Sequence, residues 1–155
     1  MFRKLRRFQK QILKEEEVLE ILETATNGIL AVHGDEDYPY AVPLSFAYLD
    51  GKIYFHSTIA QSHKIDSIKR NPRVSFCVVA QDHIVAEEFT TIYKSAIAFG
   101  KARVLTDENE IYRGIMAITK KYSGDYMEKG KEHAEKYAGE FCVVEIEIEH
   151  LTGKF

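Results

Sequence analysis

The 155-residue chain has no tryptophan, only 2 cysteines and 3 prolines, and no apolar run long enough to span a membrane. Each shortage removes a class of protein. Cys77 and Cys142 each sit inside an apolar, strand-like run with no C-x-x-C spacing, which excludes a disulfide-stapled scaffold and a thiolate metal site; they read as reduced core residues of a cytoplasmic protein. Low proline beside 9 glycines excludes collagen-like and low-complexity chains. The first 14 residues carry Arg3, Lys4, Arg6, Arg7, Lys10 and Lys14 without an acid, but no apolar signal-peptide core follows them. This arm reads as a solvated basic tail or helix lead-in. The 6 histidines are scattered without metal-ligand spacing, and G-x-S-x-G, P-loop and G-x-G-x-x-G motifs are absent. A net charge of −3 and a pI near 6.1 lack the cationic field of a general nucleic-acid binder. Neither nucleic acid nor membrane is expected as a partner.

What the chain does have is ordinary globular composition, 45% hydrophobic and 29% charged, and 9 Phe with 9 Tyr. This length supports one core, so residues 1–155 form a single domain. Val18, Ile21, Leu22 and Ala25 fall at helical spacing, with Asn27-Gly28 as the stop. Residues 29–33 and 38–49 read as strands joined by an acidic turn, and Asp50-Gly51 predicts a two-residue hairpin pairing Leu49 with Lys52, Tyr48 with Ile53, Phe46 with Phe55 and Ser45 with His56. Thr58 to Arg70 reads as a helix, 73–80 as a strand, 81–88 as a loop and 91–105 as a long strand relaxed at Gly100. Thr106-Asp107 opens a helix with Ile111, Ile115, Ile118 and Tyr122 on one face, and residues 125–139 read as a surface helix. In the final strand Cys142, Val144, Ile146 and Ile148 are expected inside, with Val143, Glu145, Glu147 and Glu149 in water. About six strands without regular β-α-β alternation give an α+β class and a small antiparallel barrel.

One stretch carries the chemistry of an anion site. In Ser57-Thr58-Ile59-Ala60-Gln61-Ser62-His63-Lys64, hydroxyls, an imidazole and an ammonium crowd where a strand gives way to a helix. A helix start is electropositive, so Lys64 in the first turn is unfavourable unless an anion neutralises it; a phosphate monoester held by His63, Lys64, Ser57 and Ser62 would do so. The alternative is purely structural, with Thr58 and Gln61 forming a capping box and Lys64 in solvent. Pro39 and Pro43 flank Tyr40-Ala41-Val42, which makes that strand an edge or a site of exposed backbone. On the far face of the hairpin, Ser45, Ala47, Tyr54 and His56 form either a solvated strand surface or a bed for a flat ligand.

The runs GILAVHGDEDYPYAVPLSFAYLDGKIYFHS, SHKIDSIKRNPRVSFCVV, FTTIYKSAIAFGKARVL and VVEIEIEHLTGK together resemble the nitroimidazole-resistance branch of the pyridoxamine 5′-phosphate oxidase-like, FMN-binding split-barrel family. The likeness runs in the same order over nearly the whole chain. It implies a six-stranded split β-barrel with peripheral helices, a homodimer with cofactor at the interface, and a small-molecule substrate. It also implies FMN-binding roles for Ser62, His63 and Lys64 at the phosphate, with His56 and Ser57 beside them. Tyr40, Ala41, Val42, Pro43, Leu44 and Ser45 would lie along the isoalloxazine. Tyr93, Lys94 and Ser95 would line the same cofactor, and His150 to Lys154 would stand near the cleft, with some of these from the second subunit. Tyr93 and Phe46 become cleft or interface candidates. FAD, a deazaflavin or haem could replace FMN in such a barrel. The implied activity is flavin-dependent reduction of a small, nitroaromatic-like molecule, with a non-enzymatic flavin- or haem-binding module as the alternative. The substrate-binding Arg and His of true pyridoxamine phosphate oxidases are missing from the C-terminus, so vitamin B6 synthesis is not expected.

Overall fold

The computed structural model describes residues 1–5 and 11–155; the middle of the basic arm lies outside the described residues. Helix α1 (Glu15–Thr24) buries Val18, Ile21 and Leu22, and its first turn is secured by the Lys14 N–H donating to Glu17 Oε2 at 2.9 Å. The helix ends at Thr24 rather than at Asn27-Gly28, and Gly28 instead opens strand β1 (Gly28–His33). Strands β2 (Pro39–Leu44), β3 (Ala47–Leu49) and β4 (Lys52–Thr58) precede helix α2 (His63–Arg70). Two long strands follow, β5 (Arg73–Val85) and β6 (Thr90–Val104), then helices α3 (Glu108–Ser123) and α4 (Met127–Lys136), and the final strand β7 (Phe141–Lys154).

Among the described residues the seven strands form one antiparallel sheet in the order β2-β1-β5-β6-β7-β4-β3. The outermost strands, β2 and β3, are consecutive in sequence and separated only by Ser45 and Phe46. A three-residue step spans at most about 11 Å, so the two edges must lie side by side and the sheet must curl into a barrel. This is why the single strand expected over 38–49 is two: it crosses the barrel's seam. The break has a further consequence. The Asp50-Gly51 hairpin forms, with φ of 49° and 77° at its two turn residues, and pairs Leu49 with Lys52 and Tyr48 with Ile53 as expected. Pairing stops at Ala47–Tyr54, so the expected Phe46–Phe55 and Ser45–His56 pairs do not form, and His56 pairs with Val143.

The barrel interior joins Leu30, Phe46, Ile53, Phe55, Phe76, Val144 and Ile146 with the buried faces of α1 and α2. Phe46 is fully buried and meets Phe76 edge-on at 4.9 Å, which corrects its reading as a cleft residue. Lys121 lies over its ring at 4.1 Å and donates to the Leu22 and Ala25 carbonyls at the end of α1. Burial pulls that ammonium down to about 8.

A second cluster lies outside the barrel, where α3 covers Tyr54, Leu105 and Val143. This covering corrects the expected wet face of the last strand, because Val143 and Glu145 are both buried. Glu145 is tolerated there because Tyr54 Oη donates to it at 3.0 Å, Arg103 Nη2 at 3.0 Å, and Lys52 Nζ stands 3.5 Å away. Burial pushes the carboxyl up, but the Tyr54 and Arg103 hydrogen bonds and the charges of Arg103 and Lys52 outweigh it, leaving its pKa below the usual carboxylate range. Burial and the same carboxylate push Tyr54 up to about 12. A carboxyl whose folded pKa is depressed stabilises the fold above its unfolded pKa and loses that contribution as pH falls through the folded value. Glu145→Gln is therefore expected to destabilise at neutral pH by on the order of 2 kcal/mol. It should also flatten the acid limb of a melting-temperature profile; an unchanged acid limb would show that Glu145 carries none of it.

The loop expected over 81–88 is mostly strand. Residues 81–85 continue β5 past a bulge between Val79 and Gln81 and pair with 90–94 of β6. The polar residues Gln81, Asp82 and His83 suited a loop, but ladder bonds to β6 satisfy the backbone whatever the side chains are.

Candidate functional site

At the seam end of the barrel, β4, α2 and β2 bring one group of the predicted residues together. The helix starts at His63, five residues later than expected, because Gln61 takes a left-handed φ of 50° and Thr58 still belongs to β4. The Thr58–Gln61 capping box is therefore not made. Ser62 occupies the N-cap, yet its hydroxyl makes no capping bond and lies 3.4 Å from Ser57 Oγ. The first intrahelical bond is from the Asp66 N–H to the Ser62 carbonyl, so the first-turn N–H groups have no partner within the helix. Lys64 stands half-buried in that turn, and the one acid there, Asp66, is exposed to solvent. The chain thus concentrates donors and positive charge where anions bind.

His63 is held by other residues. Its ring stacks on Tyr40 at 4.1 Å, and its Nε2 accepts the Asp35 N–H at 3.2 Å, which leaves Nδ1–H as its free donor in the neutral form. Asp35 is fixed in turn by Arg70 Nη2 at 2.7 Å. The Arg70 hydrogen bond leads the effects that lower the Asp35 pKa. The sequence reading missed this Asp35–Arg70 clamp, since its members lie 35 positions apart and neither belongs to a motif.

His56 and Ser57 are neighbours in β4, and strand alternation sends their side chains to opposite faces. Ser57 is buried toward Ser62, whereas His56 is exposed on the α3–α4 side, edge-on to Phe141 at 6.4 Å. Partial burial and the charge of Lys64 lower the His56 pKa. The half-buried thiol of Cys142 is pushed up by burial, with Lys69 and Lys64 acting against it.

The second group lies elsewhere. Ser95 pairs with Lys154, and His150 pairs with Phe99 and is stacked on Phe2 at 4.6 Å. Ser57 pairs with Cys142, twelve positions before Lys154 along β7, so the two groups stand up to roughly 40 Å apart along that strand. Between them runs β2, whose Tyr40, Val42 and Leu44 turn inward while Ala41, Pro43 and the adjoining Ser45 are exposed. Pro43 pairs with Ile29, Ile29 with Cys77, and Cys77 with Ile97, forming one row across four strands. Val79, Tyr93 and Ser95 continue the same outer face; Ile29, Val79 and Ile97 are 40%, 57% and 39% exposed. Lys94, the neighbour of Tyr93 and Ser95, points to the opposite face of β6.

These features define a split-barrel protein with an uncapped, lysine-bearing helix start at its seam and an apolar outer sheet bordering its second group of polar residues. Residues 14–155 match the family described as pyridoxamine 5′-phosphate oxidase, and the chain belongs to that family. Comparison with curated proteins finds no match. Among solved structures, the fold resembles a Bacteroides thetaiotaomicron protein provisionally described as a 5-nitroimidazole antibiotic resistance protein, with a TM-score of 0.76 and 21% identity over 92% of this chain and 85% of that one. It also resembles an FAD-binding protein from Mesorhizobium loti, with a TM-score of 0.63 and 26% identity over 92% and 95% of the two chains. An FAD- and haem-binding protein from Mycobacterium smegmatis gives a TM-score of 0.80 and 18% identity over 95% and 73%. Among the described residues no helix is long and apolar enough to cross a membrane, and no cluster of three metal-ligating side chains occurs.

Proposed function

We propose that the chain is a flavoprotein that binds FMN non-covalently at a homodimer interface and passes electrons to a small oxidised organic molecule of the nitroaromatic kind. The observation that carries this reading is the uncapped start of α2, where Ser57, Ser62 and Lys64 meet free backbone donors. A phosphate monoester fits that donor set: backbone N–H groups and an ammonium match its charge, and Nδ1–H of the clamped His63 offers one more directed bond. When bound, the flavin supplies the two-electron redox chemistry. The chain's part is to bind and orient it, with the exposed backbone of Ala41 and Pro43 on the route from the phosphate site toward the second group.

The separation of the two groups favours a dimer. The two groups stand at opposite ends of β7, and the apolar outer face beside the second suits burial against a second copy. The absorption spectrum of the purified protein tests the reading: flavin bands are expected, bleached by NAD(P)H and restored by a nitroaromatic. Protein that stays colourless and gains no thermal stability from excess FMN would overturn it. The similarity to an FAD- and haem-binding protein supports the alternative of a non-enzymatic binding module. A Soret band, or a bound flavin that NAD(P)H never reduces, would favour that alternative.

A further inference from the structure

Helix α4 crosses α3 at one close point. A Cβ on Gly130 would collide with the Thr119 side chain, so glycine there lets the helices touch. Elsewhere α4 has little to fill the space beneath it, since its sequence MEKGKEHAEK offers only Met127 and Ala134 as apolar side chains. A cavity of about 560 Å3 remains between α3, α4 and the ends of β4 and β7. The cavity opens to solvent as a cleft, and its volume lies within the range of small-molecule sites.

The walls state what would fit. Ile115, Ile118 and Phe141 form an apolar bed, and the rings of Tyr126 and Tyr137 stand at its edge. The ionisable side chains of the lining are Lys129 and His133, one helical turn apart on α4, His56 from β4, whose lowered pKa favours its neutral form, and the acid Glu140. Aromatic neighbours flank both α4 side chains, with Lys129 Nζ 5.9 Å from the Tyr126 ring and the His133 ring 4.5 Å from that of Tyr137.

We propose that this cavity is a binding site for a small organic anion with a planar, apolar body, such as an aromatic carboxylate, whose ring lies on Ile115, Ile118 and Phe141 and whose charge faces Lys129 and His133. The site opens on the opposite face of β4 from Ser57 and does not depend on the flavin reading. Benzoate titrated into the full-length protein as purified, followed by isothermal titration calorimetry, tests it against benzyl alcohol, a neutral probe of similar size. Benzoate is expected to bind at least roughly tenfold more tightly than the alcohol, an effect of the size a charge-assisted hydrogen bond gives. Lys129→Gln combined with His133→Gln should remove that preference while leaving flavin content unchanged, because neither residue touches the α2 site. Ile118→Trp should fill the bed and abolish binding of both probes. Absence of benzoate binding, equal affinity for the two probes, or an undiminished preference in the Lys129/His133 double variant would overturn the assignment. Wild-type protein that binds no flavin but keeps the benzoate preference would count against the flavin reading alone.

Discussion

Lys64→Ala is expected to weaken FMN binding by roughly tenfold to a hundredfold, the range of one charge-assisted hydrogen bond to a phosphate, while riboflavin binding changes by no more than about twofold in the same context. The contrast isolates the phosphate. Riboflavin carries the same isoalloxazine and ribityl chain, so a general disturbance of the barrel would weaken both ligands alike. The fold itself should be unaffected, because among the described residues the Lys64 side chain makes no hydrogen bond or ion pair, and its flanking core residue, Ile65, is unchanged. Quenching of flavin fluorescence measures both affinities, and equal losses would refute the phosphate role. Raised ionic strength should narrow the difference, since this part of the affinity is electrostatic and the site is only half-buried.

The second large effect concerns assembly. Val79→Asp with Ile97→Asp places two carboxylates on the apolar outer face formed by β1, β5 and β6. Burying an unpaired charge in an interface costs several kcal/mol, enough to convert a dimer into monomers at micromolar concentration. Sedimentation should show that shift, and flavin should be lost with it, because Tyr93 and Ser95 would no longer reach the partner's phosphate site. Both side chains are substantially exposed in one subunit, so the monomer should retain its circular dichroism and melt cooperatively. A wild-type protein that sediments as a monomer with flavin bound, or a double variant that keeps both dimer and flavin, would overturn the interface reading.

Much of the local structure could be read from the residues in order. Asp50-Gly51 specifies its own turn, since both positions adopt the positive φ that a two-residue hairpin demands. Asp107 caps α3 through a bond from the Glu110 N–H, and Ile65 and Ile68 face inward at helical spacing. The lysine-bearing start of α2 was legible because Ser62, His63 and Lys64 lie together in sequence. What could not be read was set by distant partners. Val143 and Glu145 alternate like a wet strand face and become buried because α3, more than twenty residues earlier, docks over them with Gly114 against Val143 and Tyr54. The strand expected over 38–49 breaks because the barrel's seam passes through Ser45-Phe46, a closure that no local pattern records.

The sequence by itself determined the α+β class, the hairpin and the lysine-bearing start of α2, because turn residues, hydrophobic spacing and charge near a helix end act over a few positions. Only the tertiary structure decided which faces meet. It set His56 and Ser57 on opposite sides of one strand, tied His63 to Tyr40 and Asp35, left a cavity beneath α4, and placed the two groups of site residues at opposite ends of β7. These outcomes depend on curling one sheet until its first and last strands adjoin, and that geometry is fixed by the summed pairing of seven strands and not by any one of them.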